Sequence, residues 1–402
     1  MKKVQYHELY CGNPIRYWIG LGALALLVAI GLGSAYYMEH HGHWVTGMSN
    51  QVVWGLPHVF AIFLIVAASG ALNVASIGSV FGGPLYKPLG RYSGLLAIAL
   101  LVGGLMILVL DLGRPDRLIV AMTTYNFKSI FAWNIYLYTG FIVIVGAYLW
   151  SMMEYRAKNL TRPLGFLAFF WRIALTTGTG SIFGFLVARD AYDTAVMAPM
   201  FIIMSFSYGL AFFILTLMSA FIWGDRTLGE LRLTKLKNLL GVFVGSVFFF
   251  TLVYHVTNLY ITQHHGVERF ILLDGGIYTA MFWVGQMLIG TLIPVILLYA
   301  PPFAHSRNAI ALASFLVLVG GFAQLYVIVI GGQAYPMSLF PGTEVVESGF
   351  FDGAVATYVP SVWEALLGIG GIAAAMALVA IGARMLKVFP ATLEDPEELT
   401  AS

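Results

Sequence analysis

The sequence predicts an all-α integral membrane protein with about ten transmembrane helices, arranged as two four-helix bundles plus two additional helices. Three observations predict it. Of the 402 residues, 59% are hydrophobic and only 10% are charged, and the mean hydropathy is +0.85. That leaves too little polar material to face water over a soluble surface. Next, there are ten apolar runs, each near the roughly 20 residues that a helix needs to cross a bilayer. They lie near 15–37, 56–80, 92–112, 129–151, 166–187, 197–223, 237–263, 275–300, 308–330 and 362–385. Finally, the runs are continuous rather than alternating, which argues against a β-barrel.

Taken in order, residues 1–14 are polar and read as a cytoplasmic segment. The run that starts at Ile15 is too long for a signal-peptide core and lacks a small-residue cleavage site. Residues 15–387 form one polytopic domain. Small residues recur inside the spans, as in GALNVASIGS (70–79) and TTGTGSIFG (176–184), and small faces let helices approach closely in lipid. The second to fifth spans and the sixth to ninth are each expected to form a four-helix bundle. Residues 388–402 make a short acidic cytoplasmic tail, ending ATLEDPEELTAS.

Charge sets the orientation. Fifteen of the 21 Lys and Arg fall in the termini and the even-numbered loops, five fall in the other loops, and Arg172 lies inside a helix. By the positive-inside rule both termini are cytoplasmic. The long loop at 331–361 carries Glu344, Glu347 and Asp352 without Lys or Arg, as expected of an outer loop. Nothing resembles a basic nucleic-acid stripe. The single cysteine, Cys11, is unable to hold an iron–sulfur cluster or form an internal disulfide, so cluster chemistry would have to come from a partner.

Polar groups at membrane depth are costly and usually have a purpose. Here they gather toward the outer ends of the spans. Trp54 and His58 open the second. LDLGRPDR (110–117) ends the third with Asp111, Arg114, Asp116 and Arg117. Tyr125, Lys128, Ser129 and Trp133 open the fourth. Arg189, Asp190, Tyr192 and Asp193 lie between the fifth and sixth. His255, Asn258 and Tyr260 end the seventh, and Trp363 and Glu364 open the tenth. Two readings of LDLGRPDR stand side by side. The four charges cap a helix end and pair with one another around Gly113 and Pro115, or they shape an interfacial pocket that handles protons through His58, Asp111 and Tyr125.

LDLGRPDR resembles the "LGRP" signature of the NrfD/polysulfide-reductase membrane subunits. WGLPHVFAIFLIVAASGALNVASIGSVF (54–81) is similar to that family's first core helix, and NFKSIFAWNIYLY (126–138) to its next helix start, with Ile130 where Pro is common. DAYDTAVMAPMFIIMSFSYGLAFF (190–213) resembles the helix that opens its second bundle. The resemblance covers roughly residues 50–330. Ten spans and the loop KPLGRY (87–92) are most similar to the DsrP/HmeB branch, associated with DsrMKJOP-like complexes of sulfur metabolism.

The resemblance implies a quinone site near the outer face of the cytoplasmic membrane, beneath a docked iron–sulfur protein. Menaquinone or ubiquinone would be the bound substrate, with no haem or iron–sulfur cluster of the chain's own. Further membrane and haem-containing subunits would complete the complex. It aligns His58 and Tyr125 with quinone-contacting positions and places Asp111 and Arg114 in the signature. The chemistry of the residues agrees. His58 and Tyr125 can hydrogen-bond quinone oxygens, Trp54 supplies an aromatic wall, and Asp111 can take a proton if burial and Arg114 tune it. Arg172, placed in the cytoplasmic half of the fifth span, could form a proton path with Thr176, Thr177 and Thr179, or could snorkel. Gln286 and Gln324 read as interhelical glue. The HHGH run (40–43) reads as a solvated loop or a metal site.

Two rival readings remain open. A b-type cytochrome anchor would use His58 and His255 as a haem pair. A secondary transporter would place charges at the midplane in broken helices.

Overall fold

The computed structural model describes residues 5–9, 14–224, 226–337, 354–390 and 393. Cys11, Glu344, Glu347, Asp352 and residues 391, 392 and 394–402 of the acidic tail lie outside the described residues.

Ten helices are long and apolar enough to cross a membrane: α1 Pro14–His41, α2 Leu56–Ser79, α3 Lys87–Leu110, α4 Ile130–Met153, α5 Tyr155–Gly184, α6 Met197–Trp223, α7 Glu230–Tyr260, α8 Ile277–Tyr299, α9 Arg307–Ala334 and α10 Val362–Met385. The chain is an all-α multi-pass integral membrane protein. Helices α2–α5 close one ring, each packing on the next and α5 returning to α2, and α6–α9 close a second ring in the same way. The two remaining helices pack on each other, and α10 also lies against α3 and α2.

The bundles meet where α2 crosses α6. A Cβ on Gly70 would sit 1.6 Å from the Ser205 carbonyl oxygen, and one on Gly209 would sit 2.1 Å from the Ala71 nitrogen. Only glycine lets two backbones approach that closely. Helix α2 is accordingly buried over most of its apolar window, 83%, whereas α1 buries 17% of its own. The remaining apolar surface of α1 is suited to lipid.

Local sequence sets the helix ends. Ser129 caps α4, accepting from the Ala132 N–H, and Ser361 with Glu364 forms a capping box at α10. Pro294 in α8 lacks the N–H that would serve the Gly290 carbonyl four residues back. The stretch before it, Met281–Leu292, winds as a π-helix. The Thr291 hydroxyl donates to the Gln286 carbonyl at 3.0 Å. Such widened turns recur at functional sites.

Near its ends the chain folds back on itself. Tyr6–His7 (β1) pairs antiparallel with Phe389–Pro390 (β2), and Arg226 donates to the carbonyls of Glu8 and Pro390. These two strands share one face of the molecule, here the terminal face. The opposite face carries the 111–129 connection and is here the site face.

Candidate functional site

The site is built where α2 begins and α3 ends. Gly55 precedes α2 and Pro57 sits in its first turn, where a missing N–H does no harm, so His58 projects from the first turn. Asp111 is the residue that closes α3, its N–H bonded to the Ile107 carbonyl. His58 Nδ1 and Asp111 Oδ2 lie 2.8 Å apart, with the His58 side chain 16% exposed and the Asp111 side chain wholly enclosed. The pair is close but not aligned for a hydrogen bond. His58 Nδ1 and both Asp111 oxygens are buried without a hydrogen-bond partner among the described residues. Buried polar atoms are nearly always satisfied, so three orphans at one spot mark a place that a ligand or water completes.

Trp54 walls this spot. Its ring lies 6.5 Å from His58, 5.8 Å from Phe131 of α4 and 5.6 Å from Phe183 of α5. The sequence alone did not show what holds Trp54. The Gln333 amide, at the end of α9, accepts from the Trp54 N–H and donates back to the Trp54 carbonyl, both at 2.9 Å. Arg189 donates to the carbonyls of Gln333 and Gln51, also both at 2.9 Å. Burial lowers the Arg189 pKa from its ordinary value. The entrance of α2 is fixed from α10. Tyr358 accepts from the Leu56 N–H at 2.6 Å and donates to Glu364 at 2.7 Å, and Glu364 also takes the Gly47 N–H at 2.8 Å. Burial, then the Glu364 charge, push the Tyr358 phenol far above its ordinary value, which keeps it a donor. The first bundle's site is therefore clamped by residues of the second bundle and of α10.

The other expected residues fall differently. Arg114 does not reach Asp111. It is 64% exposed and pairs with Asp116 at 3.2 Å, because the chain turns outward at Leu112–Gly113, where α3 has ended. The Asp116 carboxyl is held below its ordinary value, first by that hydrogen bond. The four charges of LDLGRPDR thus split, with Asp111 inward against His58, Arg114 outward with Asp116, and Arg117 exposed. Tyr125 packs edge-on to Phe127, Trp133 and Tyr136. Among the described residues neither a ring contact nor a hydrogen bond joins it to His58. His43, from the HHGH run, lies over Gly113, with its Nδ1 3.6 Å from where a Cβ there would be. Its buried Nε2 also lacks a partner. That places His43 beside the signature, which the solvated-loop reading missed. No group of three or more His, Cys, Asp or Glu is placed to hold a metal ion among the described residues.

Arg172 is 2% exposed and is the twelfth of the 24 residues in the α-helical part of α5, Thr161–Gly184, close to its middle. Its guanidinium sits against the rings of Phe169 and Phe206 at 4.8 and 5.1 Å. Thr176 and Thr179 donate to the Arg172 and Leu175 carbonyls of their own helix, each at 2.9 Å, and Thr179 also meets Tyr138 and Asn134 of α4 at 3.3 and 3.5 Å. Gln286 and Gln324 do bridge helices, both donating to Thr251 of α7.

His255 of α7 has its own carboxylate. Its Nδ1 donates to Glu268 Oε2 at 2.7 Å, Asn258 donates to Glu268 Oε1 at 2.9 Å, and His264 donates to Asn258 at 3.1 Å. His58 and His255 therefore belong to different bundles and face different partners. Glu268 was not singled out from the sequence, because it lies on a short helix, His265–Arg269, that only the fold returns to α7.

A family model described as polysulphide reductase, NrfD, matches residues 44–336. The chain belongs to the NrfD family. The matched region takes in α2–α9, the two bundles, while α1 and α10 lie outside it. A similar protein is the Hdr-like menaquinol oxidoreductase integral membrane subunit of Archaeoglobus fulgidus, 29% identical over 94% of this chain and 95% of its own. The C subunit of the selenate reductase of Mesobacillus selenatarsenatis is 23% identical over 91% and 93%. The C polypeptide of the polysulfide reductase of Wolinella succinogenes is 24% identical over 71% of this chain and 96% of its own. The His58–Asp111 pair and its clamp residues Arg189 and Gln333 all fall inside the NrfD match, whereas Glu364 falls outside it.

Proposed function

We propose that this chain is the quinone-interacting membrane subunit of a redox complex, exchanging electrons between the menaquinone or ubiquinone pool and an iron–sulfur subunit docked on the site face. The observation that carries it is the buried His58–Asp111 pair, three of whose polar atoms lack partners. The names of relatives support it, since one is a menaquinol oxidoreductase subunit and another a polysulfide reductase polypeptide. The Lys/Arg bias supports an outer site face and a cytoplasmic terminal face, in a cytoplasmic membrane. The ten-span plan and the KPLGRY loop favour a DsrMKJOP-like complex with haem-containing partners. The one cysteine leaves any cluster to the partner.

A bound quinol supplies two electrons and two protons. The residues of the chain handle the protons. With Nδ1 against Asp111, the His58 ring presents Nε2 to a ligand oxygen. A proton taken at Nε2 leaves the imidazolium beside the Asp111 carboxylate, so the enclosed pair becomes neutral rather than positive. Trp54, Phe131 and Phe183 give the apolar walls that a flat ring needs and keep water out. Gln333, Arg189 and the Tyr358–Glu364 pair are positioning residues for Trp54 and for the first turn of α2.

The test is a titration of the purified complex with a fluorescent quinol-analogue inhibitor, comparing wild type with His58→Ala. Saturable quenching that weakens at least tenfold in the variant is expected. Unchanged quenching would move the pocket away from His58. A lack of saturable binding in an assembled complex would overturn the quinone reading.

A further inference from the structure

The second bundle holds polar groups that the proposed quinone chemistry does not use. A cavity of about 20 Å³ is lined by His255, Tyr254, Thr251, Gln286 and Gln324. A second, of about 10 Å³, continues below it and is lined by the same two glutamines with Tyr208, Ser207 and Thr291. A water needs roughly 10–15 Å³ of such space and two to four polar partners. The upper cavity meets both conditions and the lower one meets them at the limit. Neither can take a quinone ring.

The hydrogen bonds around the cavities leave capacity for water. Thr251 Oγ1 accepts from both Gln286 and Gln324, at 3.1 and 3.3 Å. Its two lone pairs are thus used and its own proton is free to donate. Tyr208 donates to Gln324 Oε1 at 2.5 Å, which ties the lower cavity to the upper. The π-helical stretch of α8 carries Gln286 between them. At the top, His255 spends Nδ1 on Glu268, which leaves Nε2 for the cavity it lines. Glu268 is wholly enclosed. The groups facing the dyad are Tyr254 and Asn258 from α7, His264 from the connection, Phe282 from α8, Met200 from α6 and Val327 from α9. Counting the dyad itself, these described groups include one carboxylate, Glu268.

Toward the terminal face the lower cavity itself is lined by Val244 and Val247 of α7 and Val317 of α9. There Gly290 and Gly320 press backbone to backbone, with a Cβ on Gly320 meeting Gly290 Cα at 2.0 Å. The polar file therefore runs from the site-face end of α7 to mid-bundle and stops.

We propose that the second bundle contains a hydrated proton half-channel, in which a short file of waters connects Tyr208, Gln324, Gln286 and Thr251 to the His255–Glu268 dyad, closed toward the terminal face. The dyad holds one exchangeable proton. Arriving as hydronium on the upper water, it passes to His255 Nε2 and returns that oxygen to water, and the net charge of the dyad goes from −1 to zero. The file is separate from the His58–Asp111 site and does not depend on quinone binding there.

The test is infrared difference spectroscopy on the purified complex across a pH jump, with H₂¹⁸O exchange and no quinone added. Wild type is expected to show ¹⁸O-sensitive water bands, together with a one-proton uptake measured by indicator dye. Thr251→Val, which keeps shape but removes the hydroxyl, should abolish the water bands, and Glu268→Gln should abolish that proton uptake. If Glu268→Gln fails to assemble, His255→Asn serves in its place. Absent ¹⁸O-sensitive bands, or bands unchanged in Thr251→Val, would show dry cavities and overturn the file. Full proton uptake in Glu268→Gln or His255→Asn would overturn the dyad. Inhibitor binding at His58 is read separately, so either idea can fail alone.

Discussion

Each bundle buries one imidazole–carboxylate pair, and the two pairs are finished to different degrees. In the second bundle Glu268 has a donor on each oxygen, His255 and Asn258, and His264 backs up the asparagine. In the first, Asp111 has His58 at 2.8 Å but no aligned donor on either oxygen. A satisfied pair contributes rigidity. An unsatisfied one holds its carboxylate at a cost that a ligand can relieve. The difference separates a carboxylate held by the fold's own donors from one whose oxygens are left open to a ligand.

The largest effect that tests this contrast is on turnover. Asp111→Asn should slow quinol oxidation by the assembled complex about 10²-fold, a typical loss for a proton-accepting group, with little change in thermal stability. Turnover within a few-fold of wild type would remove Asp111 from the chemistry. Stability should respond in the opposite way. Glu268→Ala strands a buried imidazole and an amide, and should cost about 3 kcal/mol, read as a clear drop in the thermal midpoint of the detergent-solubilised complex. Asp111→Ala removes a carboxylate to which no donor is aligned and should cost far less. Equal losses in the two variants would erase the distinction.

A smaller effect is expected from the clamp. Gln333→Leu removes the paired bonds to Trp54, each worth about 1 kcal/mol. It should weaken quinol-analogue binding up to about tenfold in the same fluorescence titration, although Gln333 belongs to the other bundle. The smallest concerns Arg114. Arg114→Ala should leave inhibitor affinity within twofold, since the side chain faces solvent with Asp116. A large loss would restore its role in tuning Asp111.

The membrane fold was legible in the sequence because lipid demands long apolar runs, and those runs survive in the structure with small shifts. The tenth, expected at 362–385, is Val362–Met385, and the first extends to His41 rather than ending near 37. His58 and Asp111 were legible because each sits beside a helix-terminating glycine or proline pattern at a span end. The direction of Arg114 was not, since one turn of backbone after Asp111 decides whether a side chain faces in or out. The partners of Gln333 and Glu364 were hidden for a different reason. These two side chains meet Trp54 and Gly47 across the whole fold, and a single sequence carries no signal for pairs so far apart. Glu268 needed the bend after α7 to reach His255. The two glutamines were read as glue, and the cavities they line become visible only when four helices are placed around them.

The packing of α1 has a consequence for biogenesis. Its main neighbour is α10, where Gly31 and Gly370 meet with a Cβ on either only 2.8 Å from the other's Cα. Helix α1 thus leaves the ribosome well before α10 and waits for it. At usual translation speeds the interval is roughly tens of seconds, during which α1 has only lipid, or an insertion factor, for company. A nascent chain arrested before Val362 should therefore leave α1 open to crosslinking by the insertion machinery, and completion of α10 should close it.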